Sequence, residues 1–126
     1  MASLVIGLLA TSPAIAKVLV NTIDPTATLS DDGRHLVVTG PIACTTGERA
    51  FQRVTVTQRA TGASAEGVTQ IVCTGSVQQW VVHATTQGRE AFAAGAATAV
   101  GFARTTDRGQ TTDAHQWLVP IALVVE

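Results

Sequence analysis

The sequence predicts an all-β protein, an immunoglobulin-like antiparallel β-sandwich of seven or eight strands, on three observations. Thr and Val are abundant throughout, apolar residues recur with a period of two more often than with helical spacing, and turn-forming clusters punctuate the chain at short intervals. Such spacing of short strands is the pattern of a sandwich. A length of 126 residues, 46% hydrophobic and 13% charged, fits one globular domain and leaves too little charge for a disordered tail or coiled coil.

Taken in order, Leu4 to Ala10 is an apolar run, followed by Thr11, Ser12, Pro13 and then Ala14-Ile15-Ala16, a small-x-small pattern. Residues 1–16 therefore read as a secretory signal peptide and 17–126 as a single β-sandwich domain. No Lys or Arg precedes the run, so an N-terminal strand or short apolar helix that stays attached is the alternative. Pro13 and Lys17 end the apolar stretch well below the roughly 20 residues that a bilayer requires, which argues against a stable membrane span.

Strands are predicted at Val18 to Asn21, Thr26 to Leu29, His35 to Thr39, Phe51 to Arg59, Glu66 to Cys73, Val77 to Thr85, Ala96 to Arg104 and Ala114 to Val124. Asp24-Pro25, Ser30-Asp31-Asp32-Gly33, Thr45-Thr46-Gly47, Thr61-Gly62-Ala63, Thr74-Gly75-Ser76, Gln87-Gly88 and Asp107-Arg108-Gly109 separate them with turn chemistry. Alternation puts Val54 and Val56 on one face of their strand, and Trp80, Val82 and Ala84 on one face of theirs, with Trp80 the expected central core aromatic. The last strand is apolar on both faces, Trp117, Val119, Ile121 and Leu123 against Leu118, Ala122 and Val124, and is expected to be covered twice. Arg89 to Ala97 is Ala-rich, and a helical turn carrying Phe92 inward is the alternative there, limited by Gly95.

Cys44 and Cys73 are the two cysteines, outside any C-x-x-C pair and without His at zinc-ligand spacing. They read as one disulfide, stapling a strand end to a neighbouring loop, in a chain that leaves the cytoplasm. Two buried free thiols are the alternative. Eight Lys and Arg against nine Asp and Glu give a net charge of −1 with no basic cluster, so no nucleic-acid partner is expected.

Catalytic chemistry is thinly supplied. His35, His83 and His115 accompany no nucleophile elbow and no zinc-protease helix, and if His83 and His115 converged on a metal, spacing suggests no third ligand. Asp113 and His115, two apart, share a strand face and form an acid–base pair with a Ser or Thr on paper, but a polar strand start beside the Arg108-Gly109 turn is the plainer reading. Asp31-Asp32 is turn chemistry, and Glu48, Glu66 and Glu90 are scattered. No catalytic residue, metal or cofactor is predicted, and the chain is read as not an enzyme. Tyr is absent beside two Trp and three Phe, so stacking platforms are scarce. Trp117 and His115 are the candidate partner-binding residues, with core burial the plainer reading of Trp117.

Three stretches, CTTGERAFQRVTVTQRATG from Cys44, CTGSVQQWVVHAT from Cys73 and ARTTDRGQTTDAHQW from Ala103, resemble a group of small secreted actinobacterial β-sandwich proteins whose function is uncharacterised. The resemblance implies export and a sandwich, not an activity. It also implies further cysteines near Val100 and Leu118 in similar chains; apolar residues here leave the Cys44–Cys73 pair. The expected function is a secreted or cell-surface, non-enzymatic binding or structural module with a protein, cell-wall or small-molecule partner. Two alternatives stand. One is a self-associating subunit that adds Val18 to Ile23 or the last strand to a neighbour's sheet, giving a homo-oligomer. The other is a carrier for a small apolar ligand held near Phe92 and Phe102, where Ala91 to Ala99 leaves space.

Overall fold

The computed structural model describes residues 20–126. The predicted signal peptide, 1–16, and the first two residues of the first predicted strand lie outside the described residues. Eight strands follow in chain order: β1 (Val20–Asn21), β2 (Thr26–Leu29), β3 (His35–Ala43), β4 (Arg49–Gln58), β5 (Ala63–Val72), β6 (Val77–Thr86), β7 (Gly95–Asp107) and β8 (Gln110–Val125). Each falls on a predicted segment, and the fold is all-β.

The layers differ from the expectation. The strands form no sandwich but one closed, mixed barrel of seven strands, in the order β3-β2-β8-β7-β4-β5-β6 and back to β3. Two long-range pairings overturn the antiparallel sandwich. β3 and β6 pair antiparallel over nine residues, from His35↔Thr85 to Ala43↔Val77, which joins the ends of what would have been an open sheet. β2 and β8 pair in parallel, from Thr26↔Ala122 to Leu29↔Val125, which joins an early strand of the chain to the last one. Alternation within a strand specifies an inside and an outside, and a barrel and a sandwich satisfy it equally well. β1 shares an edge of β3 with β2: β2 takes Leu36 and Val37, while β1 takes Ile42 and Ala43.

Inward residues fill the barrel. Leu29, Leu36, Val38, Ile42, Val54, Val56, Trp80, Val82, Ala84, Ile121 and Leu123 are buried, with Trp80 wholly so at the expected central position. The inner face of β7 is small, Ala97, Ala99, Gly101 and Ala103, and Gly101 makes room for the Trp117 indole, as Gly40 of β3 does for that of Trp80. A Cβ on Gly101 would lie 2.8 Å from the Trp117 ring, and one on Gly40 would lie 2.6 Å from the Trp80 ring. Each tryptophan is thus seated flat on a strand glycine, where a side chain would collide with it. The outer face of β8, expected to be covered, is open to solvent, with Leu118 67% and Val124 53% exposed.

Residues 87–94 form a loop, not a helical turn. The buried Gln58 amide explains this: its Nε2 donates to Ala93 O (2.8 Å) and Ala96 O (3.1 Å), while its Oε1 accepts from Ala93 N (2.9 Å). Phe92 N donates to Gly33 O (2.9 Å), and the Phe92 ring is buried. Backbone groups that a helix would use are engaged by distant partners.

Two joints of the ring hold only two ladder positions each: β2–β3, where β2 is short, and β5–β6, between two ten-residue strands. β5 and β6 pair only at Ala65↔Thr86 and Glu66↔Thr85. Beyond that point six residues of β5 (67–72) face eight of β6 (77–84) across a short turn, and the unequal lengths prevent the ladder from continuing in register. At the far end of this stretch sits the disulfide between Cys44, which follows β3, and Cys73, which follows β5, with Cα atoms 5.3 Å apart. Backbone bonds from Gly47 N to Cys73 O (3.0 Å), Cys73 N to Glu48 O (2.8 Å) and Gly75 N to Cys44 O (3.0 Å) reinforce it. The bridge therefore joins the positions that directly follow β3 and β5, the two strands that flank β6. It also fits an oxidising compartment, and no helix among the described residues is long and apolar enough to cross a membrane.

Two outcomes follow from this joint. Replacing both cysteines by Ser lowers unfolding free energy by about 3.5 kcal/mol for a closure of 29 residues, read from denaturant titration; a loss below about 1 kcal/mol would show that the ladders alone close the ring. Because Cys73 N bonds Glu48 O, directly before β4, alternation along the β4–β5 ladder turns the amides of Val68, Gln70 and Val72 away from β4 toward the interrupted joint. Their hydrogen exchange is faster than that of Gly67, Thr69 and Ile71, and equal protection would contradict the interruption.

Candidate functional site

Outward alternation on β4 and β7 builds a surface that composition alone does not reveal. β4 presents Arg49, Phe51, Arg53, Thr55 and Thr57 on its outer face, and β7 presents Thr98, Val100, Phe102, Arg104 and Thr106. The register sets Arg53 opposite Phe102 and Phe51 opposite Arg104. In each pair the guanidinium lies over the ring, 5.5 Å from the centroid for Arg53 on Phe102 and 5.6 Å for Arg104 on Phe51. The arginines are exposed and the rings half-buried beneath them.

Stacking leaves the N–H edges of a guanidinium free to bind an anion. Of Arg49, Arg53 and Arg104, Arg53 alone has a carboxylate within 4 Å among the described residues, Glu66 at 3.7 Å, in an exposed pair of little energetic weight. Apolar side chains flank the patch: Val68 pairs across from Arg53, Val72 from Arg49, and Leu118 from Val100. Val68 and Val72 are 56% and 55% exposed. Arg-x-Phe-x-Arg and Phe-x-Arg, read at period two, were the signal available in the sequence, but their meaning depends on the cross-strand register.

The residues singled out from sequence lie on the other side of the same wall. Trp117 points inward over Gly101, half-buried, and its Nε1 is buried without a hydrogen-bond partner, as are Trp80 Nε1 and Gln52 Nε2. His115 shares that inner face at the rim, and its Nε2 meets Asp113 Oδ2 at 3.0 Å, so the acid–base pair exists. The Thr hydroxyls nearby are occupied elsewhere. Thr112 Oγ1 donates to Glu48 Oε1 (2.9 Å) and shares a 2.8 Å bond with Thr105 Oγ1. Glu48, which the sequence left without a role, is buried and ties the β7–β8 bulge at Thr105/Thr106 to the disulfide loop.

His35 and His83 lie exposed on the outer faces of β3 and β6, apart from His115 on β8. No group of three His, Cys, Asp or Glu that could hold a metal occurs among the described residues. Asp31 and Asp32 belong to the β2–β3 turn. The Asp32 carboxyl is held below its ordinary range first by the Ser30 hydroxyl, which donates to it at 2.6 Å, and then by the Arg34 backbone N–H at 3.0 Å. A shallow, open depression of about 400 Å³ beside the β4–β5 turn is lined by Thr57, Gln58, Arg59, Ser64 and Thr98 among others.

The segments considered for strand addition are paired within the chain, Val20–Asn21 with β3 and Ala122–Val125 with β2. Phe92 is buried in the core whereas Phe102 faces outward under Arg53, so the two do not line a common ligand space. No protein-family model matches the chain, and no curated protein matches it.

The seat of Trp117 is directly testable. Gly101→Val places a branched side chain where the indole lies, outweighing the gain in strand propensity. The variant loses about 1–3 kcal/mol of stability and its tryptophan emission shifts to the red as the ring is displaced. Unchanged stability and emission would contradict the packing of Trp117 on β7.

Proposed function

We propose that this chain is an exported, non-enzymatic β-barrel module that binds a partner through the outer face of β4 and β7. The observation that carries the reading is the Arg–Phe ladder: two guanidiniums stacked on aromatic rings in register, with a third arginine beside them and a single weak carboxylate partner among the three. Arginine and aromatic residues dominate binding energy at interfaces, and stacking reduces the side-chain entropy that binding would cost. The site stands on two strands paired on both edges, which makes its geometry rigid. Export is supported by the apolar leader pattern and by the buried disulfide, which suits an oxidising compartment.

The test compares the purified, fluorescently labelled protein with a variant carrying Arg49→Gln, Arg53→Gln and Arg104→Gln on the surface of the cells that produce it. Saturable binding is expected for the parent and at least about tenfold weaker binding for the variant, the loss expected when charge-assisted hydrogen bonds are removed, with the melting temperature retained. Equal binding would contradict the reading. So would a hydrolytic or transfer activity that Asp113→Asn abolishes without unfolding the protein.

A further inference from the structure

Deepening that reading and resting on it, we infer that the β4–β7 face docks an extended acidic peptide segment of a partner protein, one that presents carboxylates on alternate residues.

Spacing and charge point to this occupant. Arg53, Arg104 and Arg49 form a zigzag across two strands, because Arg104 stands opposite Phe51, midway between Arg49 and Arg53 on β4. Diagonal neighbours on such a face are about 7–8 Å apart, and successive arginines advance by two residues, about 6.7 Å, along the strand axis. The same advance separates every second side chain of any extended polypeptide. A segment laid along β4 and β7 therefore brings carboxylates at positions i, i+2 and i+4 over Arg53, Arg104 and Arg49 in turn.

Carboxylate geometry matches the guanidinium fork, and the stacked Phe rings hold two of the three forks in place. Charge complementarity is local: the whole chain carries a net charge of −1, yet this face gathers three arginines against Glu66. Exposed Val68, Val72 and Leu118 border the row and suit apolar side chains of the partner segment. Because β4 is paired with β5 and β7, and β7 with β4 and β8, no backbone edge is open here. Recognition is by side chains, face on, and differs from strand addition.

The test measures binding of three fluorescein-labelled, end-blocked peptides to the oxidised full domain by anisotropy: Glu-Thr-Glu-Thr-Glu, the isomer Glu-Glu-Glu-Thr-Thr, and the neutral Gln-Thr-Gln-Thr-Gln. The alternating acidic peptide is expected to bind saturably and more tightly than its clustered isomer, and the neutral peptide not at all. Binding weakens about tenfold in Arg104→Ala, for loss of a charge-assisted contact, less in Arg104→Lys, and not in Arg89→Ala, away from the face. Unchanged melting temperatures exclude unfolding as the cause.

Equal binding of the two acidic isomers would overturn the spacing argument. Tighter, Arg104-dependent binding of an oligogalacturonate or of anionic phosphatidylserine vesicles would overturn the peptide class; in both cases the binding face itself survives. If no polyanion responds to Arg104→Ala, and the producing-cell assay also shows no loss in the triple variant, the binding face falls together with its ligand.

Discussion

Closure of the β-sheet at the β5–β6 joint is the constraint on which the rest of the structure depends. Every other neighbouring pair of long strands is zipped along most of its length, whereas this pair holds two ladder positions and then loses register. The Cys44–Cys73 bridge lies at the opposite end of that gap and clamps the strands flanking β6. A crosslink acts chiefly by limiting the unfolded chain, and here it also limits opening of the barrel at the β5–β6 joint while the longer ladders stay intact. Around the bridge the chain spends backbone hydrogen bonds and the buried Glu48–Thr112–Thr105 relay, which fastens the β7–β8 bulge to the same loop.

With the ring closed, packing inside determines what the outside presents. The inner face of β7 is Ala and Gly, and at Gly101 the Trp117 indole occupies the space that a larger residue would need and in turn braces β7 from within, while Trp80 packs on Gly40 of β3. The same strand carries Phe102 and Arg104 on its outer face, in register with Arg53 and Phe51. Small residues inward and Arg–Phe pairs outward are two sides of one rigid wall. The functional reading thus rests on β7 being held from behind, not on any loop.

The strands were legible because each is marked locally: period-two alternation in Arg49–Gln58 and Val77–Thr86, and Gly, Asp, Ser or Thr chemistry at the turns between them. The disulfide was legible from cysteine arithmetic, and the core position of Trp80 from alternation. Topology was not, because β3–β6 and the parallel β2–β8 pairing join residues far apart in the chain, and nothing local distinguishes a strand whose second edge is occupied. The loop at 87–94 was ambiguous for a related reason, since Gln58, some 35 residues earlier, takes its hydrogen bonds. Asp113 and His115 were seen to share a face. The Arg–Phe ladder went unread because Arg49, Arg53 and Arg104 are scattered in sequence and meet only through the register of β4 with β7.

Ring closure is the central feature of this fold, and cross-strand proton NOEs of the oxidised protein in solution test it most directly. Contacts between Val38 and Val82 across β3 and β6, together with contacts between Thr28 and Val124 across β2 and β8, are the result the account predicts. NOEs along the other ladders but none linking β3 to β6 would mean an open sheet, and would remove the role assigned to the bridge.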